Sequence, residues 1–211
     1  MPSPDDIKYI AIAGNIGVGK TTLTRLLSER FNWQAFYENF EENPYLVSFY
    51  EDMSRWAFQS QIFFLKERIK EHINIQQLQT SCVQDRTIYE DAEVFARNLY
   101  ERGIMPERDF AVYYDLYSGL RDFLRSPDVL IYLRASAWTL ISRIRKRGRD
   151  FEQQIDKEYI MQLNTLYESW VSDMQKTHRV LVIETDEFDI IDDEAWRENV
   201  LQRISEEVAG I

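Results

Sequence analysis

Ten residues near the start of the chain have the composition of a phosphate-binding loop. Residues 13–22 read AGNIGVGKTT and fit the pattern G-x-x-x-x-G-K-[S/T]. Three of the seven glycines in the chain fall here, which favours phosphate binding over a simple turn because glycine lets backbone N–H groups close around phosphate oxygens. Lys20 would then reach the β- and γ-phosphates, and the Thr21 hydroxyl would ligate Mg²⁺. The predicted loop residues are Gly14, Asn15, Ile16, Gly17, Val18, Gly19, Lys20, Thr21 and Thr22.

Acidic and basic side chains follow two further predicted strands. Glu38 ends the second strand, and the pair Asp85-Arg86 ends the third. The carboxyl ends of parallel strands meet at one edge of a sheet, so these groups would face the phosphate loop. One carboxylate can take the proton of an attacking hydroxyl, another can hold Mg²⁺, and Arg86 can neutralise a transferred phosphoryl group. The alternatives are an exposed loop acid at Glu38 and a surface ion pair at Asp85-Arg86.

A basic segment stands out in an otherwise acidic chain. Residues 143–149, RIRKRGR, hold five cations in seven positions. Crowded like charges repel, and an anion among them would offset the repulsion. A solvated helix end stabilised by the helix dipole is one interpretation. The other is a lid over about 143–153, in which Arg143 and Arg147 lie one turn apart, Gly148 ends the helix, and Arg149 follows, so that the segment clamps ATP phosphates.

Alternating strands and helices position these groups. The hydrophobic patterns predict strands at 7–13, 33–37, 81–84, 128–133 and 179–184. They predict helices at 23–31, 45–50, 55 to about 79 with Ser54 as cap, 89–102, 107–124, 136–146, 156–176 and 192–208. Such alternation implies an α/β fold with a parallel sheet, here five-stranded and flanked by helices. We expect one domain over residues 1–211.

The composition and charge of the chain exclude some classes of binding partner. The formal net charge of −11 argues against a duplex nucleic acid or an anionic membrane surface. No apolar run approaches the length of a membrane span, and residues 1–6 lack the features of a signal peptide, so we expect a cytoplasmic protein. The single cysteine, Cys82, lies in a predicted strand and is expected to be buried.

Five segments together resemble one family of enzymes. They are GNIGVGKTTL, YENFEENPYL, YEDMSRWAFQSQ, QDRTIYED and RIRKRGRDFEQQ, and they span nearly the whole chain. The sequence resembles the deoxyribonucleoside kinase family, most of all its bacterial deoxyadenosine/deoxycytidine kinase branch. The resemblance implies a P-loop kinase fold and a homodimer. It implies that ATP with Mg²⁺ is the phosphate donor and that the 5′-hydroxyl of a deoxynucleoside is the acceptor. Deoxyadenosine is the favoured substrate, and deoxycytidine or deoxyguanosine are further substrates.

The resemblance also assigns roles to residues. It implies Glu38 as base for the 5′-hydroxyl, with Arg86 contacting that hydroxyl and the phosphates. Further implied substrate contacts are Tyr50 and Glu152 at the sugar 3′-hydroxyl, and Gln61, Asp91, Arg68 and Phe95 at the nucleobase. On the donor side the implied residues are the lid arginines Arg143, Arg147 and Arg149, and Phe188 at the ATP adenine. Thr21 and Asp85 are the expected magnesium ligands.

The sequence motifs leave two other functions open. A nucleoside monophosphate kinase of the thymidylate kinase type also pairs a phosphate loop with a DR motif and an Arg lid. It would need additional arginines for the acceptor's own phosphate, whereas the region 37–61 offers carboxylates, tyrosines and only Arg55. A nucleotide-binding switch without kinase chemistry is the second rival, although the chain carries no N-K-x-D or D-x-x-G motif.

Overall fold

A five-stranded parallel sheet forms the centre of the molecule. A computed structural model describes residues 7–150, 152, 155–187 and 193–210. The strands are β1 (Tyr9–Ala13), β2 (Gln34–Phe36), β3 (Cys82–Asp85), β4 (Val129–Arg134) and β5 (Val180–Glu184). Their order across the sheet is β2-β3-β1-β4-β5, with every neighbouring pair parallel. The predicted five-stranded parallel α/β fold is confirmed.

Strand burial follows position in the sheet. All five residues of β1 are buried, as are all four of β3, because helices cover both faces of a parallel sheet. The edge strands β2 and β5 are only partly buried. In the register, Ile12 pairs with Asp85 and Ala13 pairs with Tyr132, so β1, β3 and β4 end at the same edge. Cys82 is buried, as expected.

Helices connect the strands. They are α1 (Lys20–Phe31), α2 (Leu46–Glu51), α3 (Met53–Gln77), α4 (Ile88–Glu90), α5 (Arg97–Glu101), α6 (Glu107–Arg121), α7 (Ala137–Arg147), α8 (Lys157–Met174) and α9 (Glu194–Ala209). A 3₁₀ turn covers Phe40–Glu42, and a π-helix, Asp91–Ala96, joins α4 to α5. Within the part of the chain that the structure describes, no helix combines the length and apolar character needed to cross a membrane.

Among the helix starts that differ from the predictions, two have a clear local cause. Helix α1 begins at Lys20, three residues before the predicted start, because the phosphate loop passes directly into the helix after Gly19. Helix α3 is capped by Asp52 instead of Ser54: the Asp52 carboxylate accepts a hydrogen bond of 3.0 Å from the backbone N–H of Arg55. Ser and Asp cap equally well, so the sequence did not distinguish the two positions.

Candidate active site

The phosphate loop is held in a conformation that only glycine adopts readily. Gly14, Gly17 and Gly19 all have positive φ, at 144°, 83° and 109°. A Cβ atom on Gly14 would lie 2.7 Å from the backbone oxygen of Leu133, so no side chain fits there. The loop therefore packs closely against β4 and then leads into the N-terminus of α1, where free N–H groups attract anions.

Lys20 lies at the centre of this loop. Its ammonium donates hydrogen bonds to the backbone oxygens of Gly14 (2.8 Å) and Asn15 (3.2 Å), and the side chain is buried. Burial, followed by the nearby Arg86 guanidinium, lowers the pKa of Lys20 to about 8. A bound phosphate would favour the charged form and raise this pKa again.

Thr21 and Asp85 meet directly beneath the loop. The Thr21 hydroxyl donates to Asp85 Oδ2 at 2.5 Å, and burial raises the pKa of Asp85. The second carboxylate oxygen, Oδ1, is buried without a hydrogen-bond partner in the described residues. An orphaned carboxylate oxygen beside a hydroxyl suits Mg²⁺, which takes few protein ligands and completes its shell with water and phosphate oxygens. The described residues contain no cluster of three or more His, Cys, Asp or Glu side chains able to hold a metal.

Glu38, just after β2, is clamped between two arginines. Arg68 Nη2 lies 2.9 Å from its Oε1, and Arg86 Nε lies 3.1 Å from its Oε2. Burial would raise the pKa of this carboxyl, but the two guanidiniums and the Lys20 ammonium outweigh burial and lower it. Glu38 is therefore ionised at neutral pH and able to accept a proton.

Arg86 occupies a strained turn at the end of β3. It is one of two non-glycine residues with positive φ among the described residues, at 72°, and its backbone N–H donates to Ile12 at 3.0 Å. Its guanidinium lies 4.1 Å above the ring of Phe95, where a cation is attracted to the aromatic face. The turn thus directs the guanidinium back over the sheet edge towards Glu38.

A cavity of about 470 Å³ joins these groups. Its lining includes the phosphate loop from Ile16 to Thr22, Arg86 and the lid arginines. It also includes Glu38, Tyr50, Gln61, Asp91, Phe95 and Glu152. Gln61, on α3, is 4% exposed, and its Oε1 has no hydrogen-bond partner among the described residues. It is therefore available to a ligand in the cavity.

Asp91 and Phe95 reach this cavity from the π-helix. A π-helix is rare and is frequent at functional sites, because it alters which side chains share a face. Burial raises the pKa of Asp91 to about 7, against the lowering effect of Arg68 and Arg86. The Asp91 carboxyl can therefore accept or donate a hydrogen bond near neutral pH.

Arg68 differs from the expectation of direct substrate contact. It is 1% exposed and lies behind the cavity wall, outside the residues that line the cavity. Its guanidinium contacts Glu38, Asp91 Oδ2 (3.2 Å) and Glu71 Oε2 (3.1 Å). Arg68 therefore holds two carboxylates of the cavity wall from behind.

The lid arginines are paired within the chain. Arg147 makes a bidentate ion pair with Glu152, at 2.7 Å and 3.1 Å, and Arg149 Nη1 lies 3.3 Å from the same carboxylate. Arg143 donates to the hydroxyl and the carbonyl oxygen of Thr185. Glu152, expected at the sugar, is thus the anion that offsets the crowded cations. Phe188 lies outside the described residues.

Sequence reasoning missed three residues around the site, of which Glu90 and Tyr167 are buried and Glu71 is partly exposed. Glu71 lies one helical turn after Arg68 on α3, a spacing that places opposite charges together. Glu90 completes a capping box with Thr87, and the T-x-x-E pattern in TIYE is its visible signal. Tyr167, on α8, donates to the loop at Gly14, and no local pattern marks it.

The fold and the site together define the class. A parallel sheet of order 2-3-1-4-5 carries a phosphate loop after β1, a carboxylate after β2 and an Asp-Arg pair at the end of β3. The loop, Glu38 and Arg86 line one cavity, and Asp85 bonds to Thr21 of that loop. These are the features of a P-loop protein that binds a nucleotide beside a second small molecule.

Comparison with known proteins narrows the class to one family. A sequence profile described as deoxynucleoside kinase matches residues 10–209, and the chain belongs to the deoxynucleoside kinase family. It is 38% identical to a deoxyadenosine/deoxycytidine kinase of Bacillus subtilis over 93% of this chain and 91% of that protein. It is 38% identical to a deoxyadenosine kinase of Dictyostelium discoideum over 85% of this chain and 73% of that protein.

A solved structure agrees with this assignment. Deoxyadenosine kinase from M. mycoides, with the products dCMP and a flexible dCDP bound, superimposes with a TM-score of 0.85 at 33% identity. The match covers 94% of this chain and 99% of that one. The likeness therefore extends over nearly the whole fold.

Proposed function

We propose that this chain transfers the γ-phosphoryl group of ATP to the 5′-hydroxyl of a deoxynucleoside, with deoxyadenosine as the favoured acceptor and deoxycytidine or deoxyguanosine as alternatives. The observation that carries the proposal is that Glu38 and the phosphate loop line the same cavity. A base and a triphosphate cradle within one cavity fit in-line transfer to a hydroxyl.

Glu38 is the general base in this proposal. Its carboxylate takes the proton from the 5′-hydroxyl as the oxygen attacks the γ-phosphorus and the bond to ADP breaks. Arg86 and Arg68 keep the carboxylate ionised by lowering its pKa, which supports this role. Arg86 also lines the cavity and would contact the 5′-oxygen and the transferred group.

Cations stabilise the transferred phosphoryl group. Lys20 would leave the Gly14 carbonyl for the β- and γ-phosphates, and Arg143 and Arg147 would bind the phosphates from the lid. Arg149, which also lines the cavity, would complete the lid, and Phe188 would contact the ATP adenine. Preformed positive charge around the phosphates costs no reorganisation during transfer.

Thr21 and Asp85 would hold Mg²⁺, Thr21 directly and Asp85 through water. The ion would bridge the β- and γ-phosphates and neutralise their charge. The partnerless Asp85 Oδ1 supports this assignment.

The far side of the cavity would bind the deoxynucleoside. Tyr50 and Glu152 would take the 3′-hydroxyl, and Phe95 would stack on the base. Gln61, with its free Oε1, and Asp91 would hydrogen-bond the base edge, while Arg68 supports Asp91 from behind. Adenine and cytosine both offer a donor amine next to a ring acceptor, which a side-chain amide can match. The preference for deoxyadenosine is supported by the relatives named as deoxyadenosine/deoxycytidine kinase and deoxyadenosine kinase.

We further propose that the chain is one domain that acts in nucleotide salvage in the cytoplasm as a homodimer. Exposed apolar side chains on or next to α3 and α6 support a dimer face: Ile73, Val112, Leu116 and Phe123.

A substrate panel tests the proposal. The protein is incubated with γ-labelled ATP and Mg²⁺ against deoxyadenosine, deoxycytidine, deoxyguanosine, thymidine and thymidylate. We expect label transfer to deoxynucleosides, fastest to deoxyadenosine. Transfer to thymidylate alone would favour a monophosphate kinase, and absence of transfer to every acceptor would favour a nucleotide-binding switch. The carboxylates of Glu38, Asp91 and Glu152 in the cavity speak against an acceptor that carries its own phosphate.

A further inference from the structure

The peptide groups of Gly14 are bound by two side chains from distant parts of the chain. The Gly14 N–H donates to Glu90 Oε1 at 3.1 Å, and the Gly14 carbonyl accepts from the Tyr167 hydroxyl at 2.9 Å. The same carbonyl accepts from Lys20 Nζ at 2.8 Å. The entrance to the phosphate loop is therefore fixed from outside the loop, at the point where Lys20 is also held.

Glu90 joins this loop to the turn that carries Arg86. Its Oε2 accepts from the backbone N–H of Thr87 at 2.9 Å and from the Thr87 hydroxyl at 3.3 Å. Thr87 directly follows Arg86 in the chain. Glu90 is fully buried and does not line the cavity, so one carboxylate ties the phosphate loop and the Arg86 turn together without touching either substrate site.

Tyr167 completes the link on the other side. Its hydroxyl lies 2.9 Å from Glu90 Oε1 as well as from the Gly14 carbonyl, and its one hydrogen serves either acceptor. Its ring stacks on Tyr132 at 5.8 Å and meets the edge of Phe95 at 6.2 Å. Tyr167 thus contacts the loop through its hydroxyl and a cavity-lining aromatic through its ring.

We propose that Glu90 and Tyr167 are positioning residues for phosphoryl transfer: together they fix the Gly14 peptide, and with it Lys20, relative to Arg86. The pair acts as one unit because both side chains bind the same peptide and each other. A donor hydroxyl and an acceptor carboxylate match the carbonyl and the N–H of Gly14, and the carbonyl also accepts from Lys20. The part of this inference that concerns turnover rests on the proposed function, and the part that concerns nucleotide binding does not.

Tyr167→Phe tests the pair with Tyr132→Phe as a matched control. Both variants remove one buried hydroxyl from the same ring stack, but the Tyr132 hydroxyl donates to Glu168, away from the loop. The probe is an ATP analogue with an imido bridge between the β- and γ-phosphates, titrated with Mg²⁺. We expect Tyr167→Phe to weaken its binding about tenfold, the value of one buried hydrogen bond, and Tyr132→Phe to change it less than about twofold.

Steady-state kinetics give a second measurement, and the kinetic constants would not change if the two residues had a purely structural role. We expect Tyr167→Phe to lower kcat and raise the KM for ATP while the KM for the deoxynucleoside stays within about twofold, because Phe keeps the ring contact with Phe95. Glu90→Gln should weaken analogue binding more strongly, on the order of a hundredfold, because its amide keeps only one acceptor oxygen, so that its NH2 group faces either the Gly14 N–H or the Thr87 N–H. In the double variant the losses should be less than additive, as for two members of one unit.

The outcomes separate this inference from the proposed function. Analogue binding and turnover in Tyr167→Phe equal to those of Tyr132→Phe, or strictly additive losses in the double variant, would overturn the positioning role. A wild-type protein that phosphorylates no acceptor, while Tyr167→Phe still weakens analogue binding, would overturn the kinase proposal and leave the role of the pair in nucleotide binding supported.

Discussion

Arg86 Nε lies 3.0 Å from Oε1 and 3.1 Å from Oε2 of Glu38, so one nitrogen is shared between both oxygens of the carboxylate. Arg68 binds the same carboxylate from the buried side at 2.9 Å. The carboxylate is therefore fixed in direction and ionised, and a hydroxyl entering the cavity meets an oriented proton acceptor.

Glu38→Gln should lower kcat by about two orders of magnitude or more, because an amide cannot take the hydroxyl proton. ATP binding should be almost unchanged. Glu41→Gln, an exposed acid three residues away, is the control for loss of one negative charge. Initial rates with saturating ATP and deoxyadenosine measure the effect, and near-normal turnover in Glu38→Gln would remove Glu38 from the base role.

Asp85→Asn should raise the Mg²⁺ concentration needed for half-maximal activity by about tenfold or more, because a neutral amide holds metal-bound water less tightly than a carboxylate does. Asparagine keeps an oxygen for the Thr21 hydrogen bond, so the fold should be retained. The measurement is a Mg²⁺ titration at fixed ATP, with the exposed Asp115→Asn as control. An unchanged Mg²⁺ requirement in Asp85→Asn would contradict the metal assignment.

Nucleotide affinity should fall as the pH rises through about 8. Burial lowers the pKa of Lys20 in the free protein to about 8, so below this pH the ammonium is already charged and affinity is flat. Above it, binding must take up a proton, and affinity should drop up to about tenfold per pH unit. Titration of the imido analogue between about pH 7.5 and 9.5 measures this. Lys20→Arg, charged throughout, should show no such inflection, and a pH-independent wild type would refute the prediction.

The free energy of unfolding should decrease in mild acid because of His72. This side chain is fully buried, neither ring nitrogen has a hydrogen-bond partner among the described residues, and burial followed by the Arg68 charge lowers its pKa to about 4. As the pH falls below about 6.5, the His72 side chain binds a proton in the unfolded chain but stays neutral in the folded protein until about pH 4. The free energy of unfolding therefore decreases by up to about 3 kcal/mol as the pH falls from about 6.5 towards 4.

Urea unfolding at several pH values, with His72→Phe and His178→Gln as the pair of variants, measures this contribution. His72→Phe should flatten the pH dependence between pH 6.5 and 4, whereas His178→Gln, at the other histidine of the chain, should retain it. Equal pH dependence in His72→Phe and wild type would show that other groups control acid stability.

The strands were predictable because their signal is local. Apolar β-branched runs mark β1, β4 and β5, and each observed strand lies within one residue or two of its prediction. Because parallel strands end at one edge, the sequence alone brought Glu38, Asp85 and Arg86 together with the phosphate loop. The sheet order itself needed the structure, since pairing partners such as Ala13 and Tyr132 are far apart in the chain.

The polar interior was not predictable in the same way. Glu71, Glu90 and Tyr167 act through contacts that span up to 153 positions. The T-x-x-E pattern marks Glu90 as part of a helix cap, but no local pattern indicates its bond to Gly14 or the position of Tyr167. The position of Arg68 shows the same limit. The family resemblance implied a contact with the nucleobase, but it did not reveal that the cavity wall lies in front of Arg68.

The ion pairs between Glu152 and the arginines at 147 and 149 affect how tightly an anion can be held. If these arginines bind a triphosphate as proposed, the ligand displaces a carboxylate from them, so its net gain is the difference between two ion pairs. Such an exchange weakens equilibrium affinity, and when the product departs the carboxylate returns to the guanidiniums. Release is thereby assisted, and the site is suited to repeated cycles more than to permanent capture of its ligand.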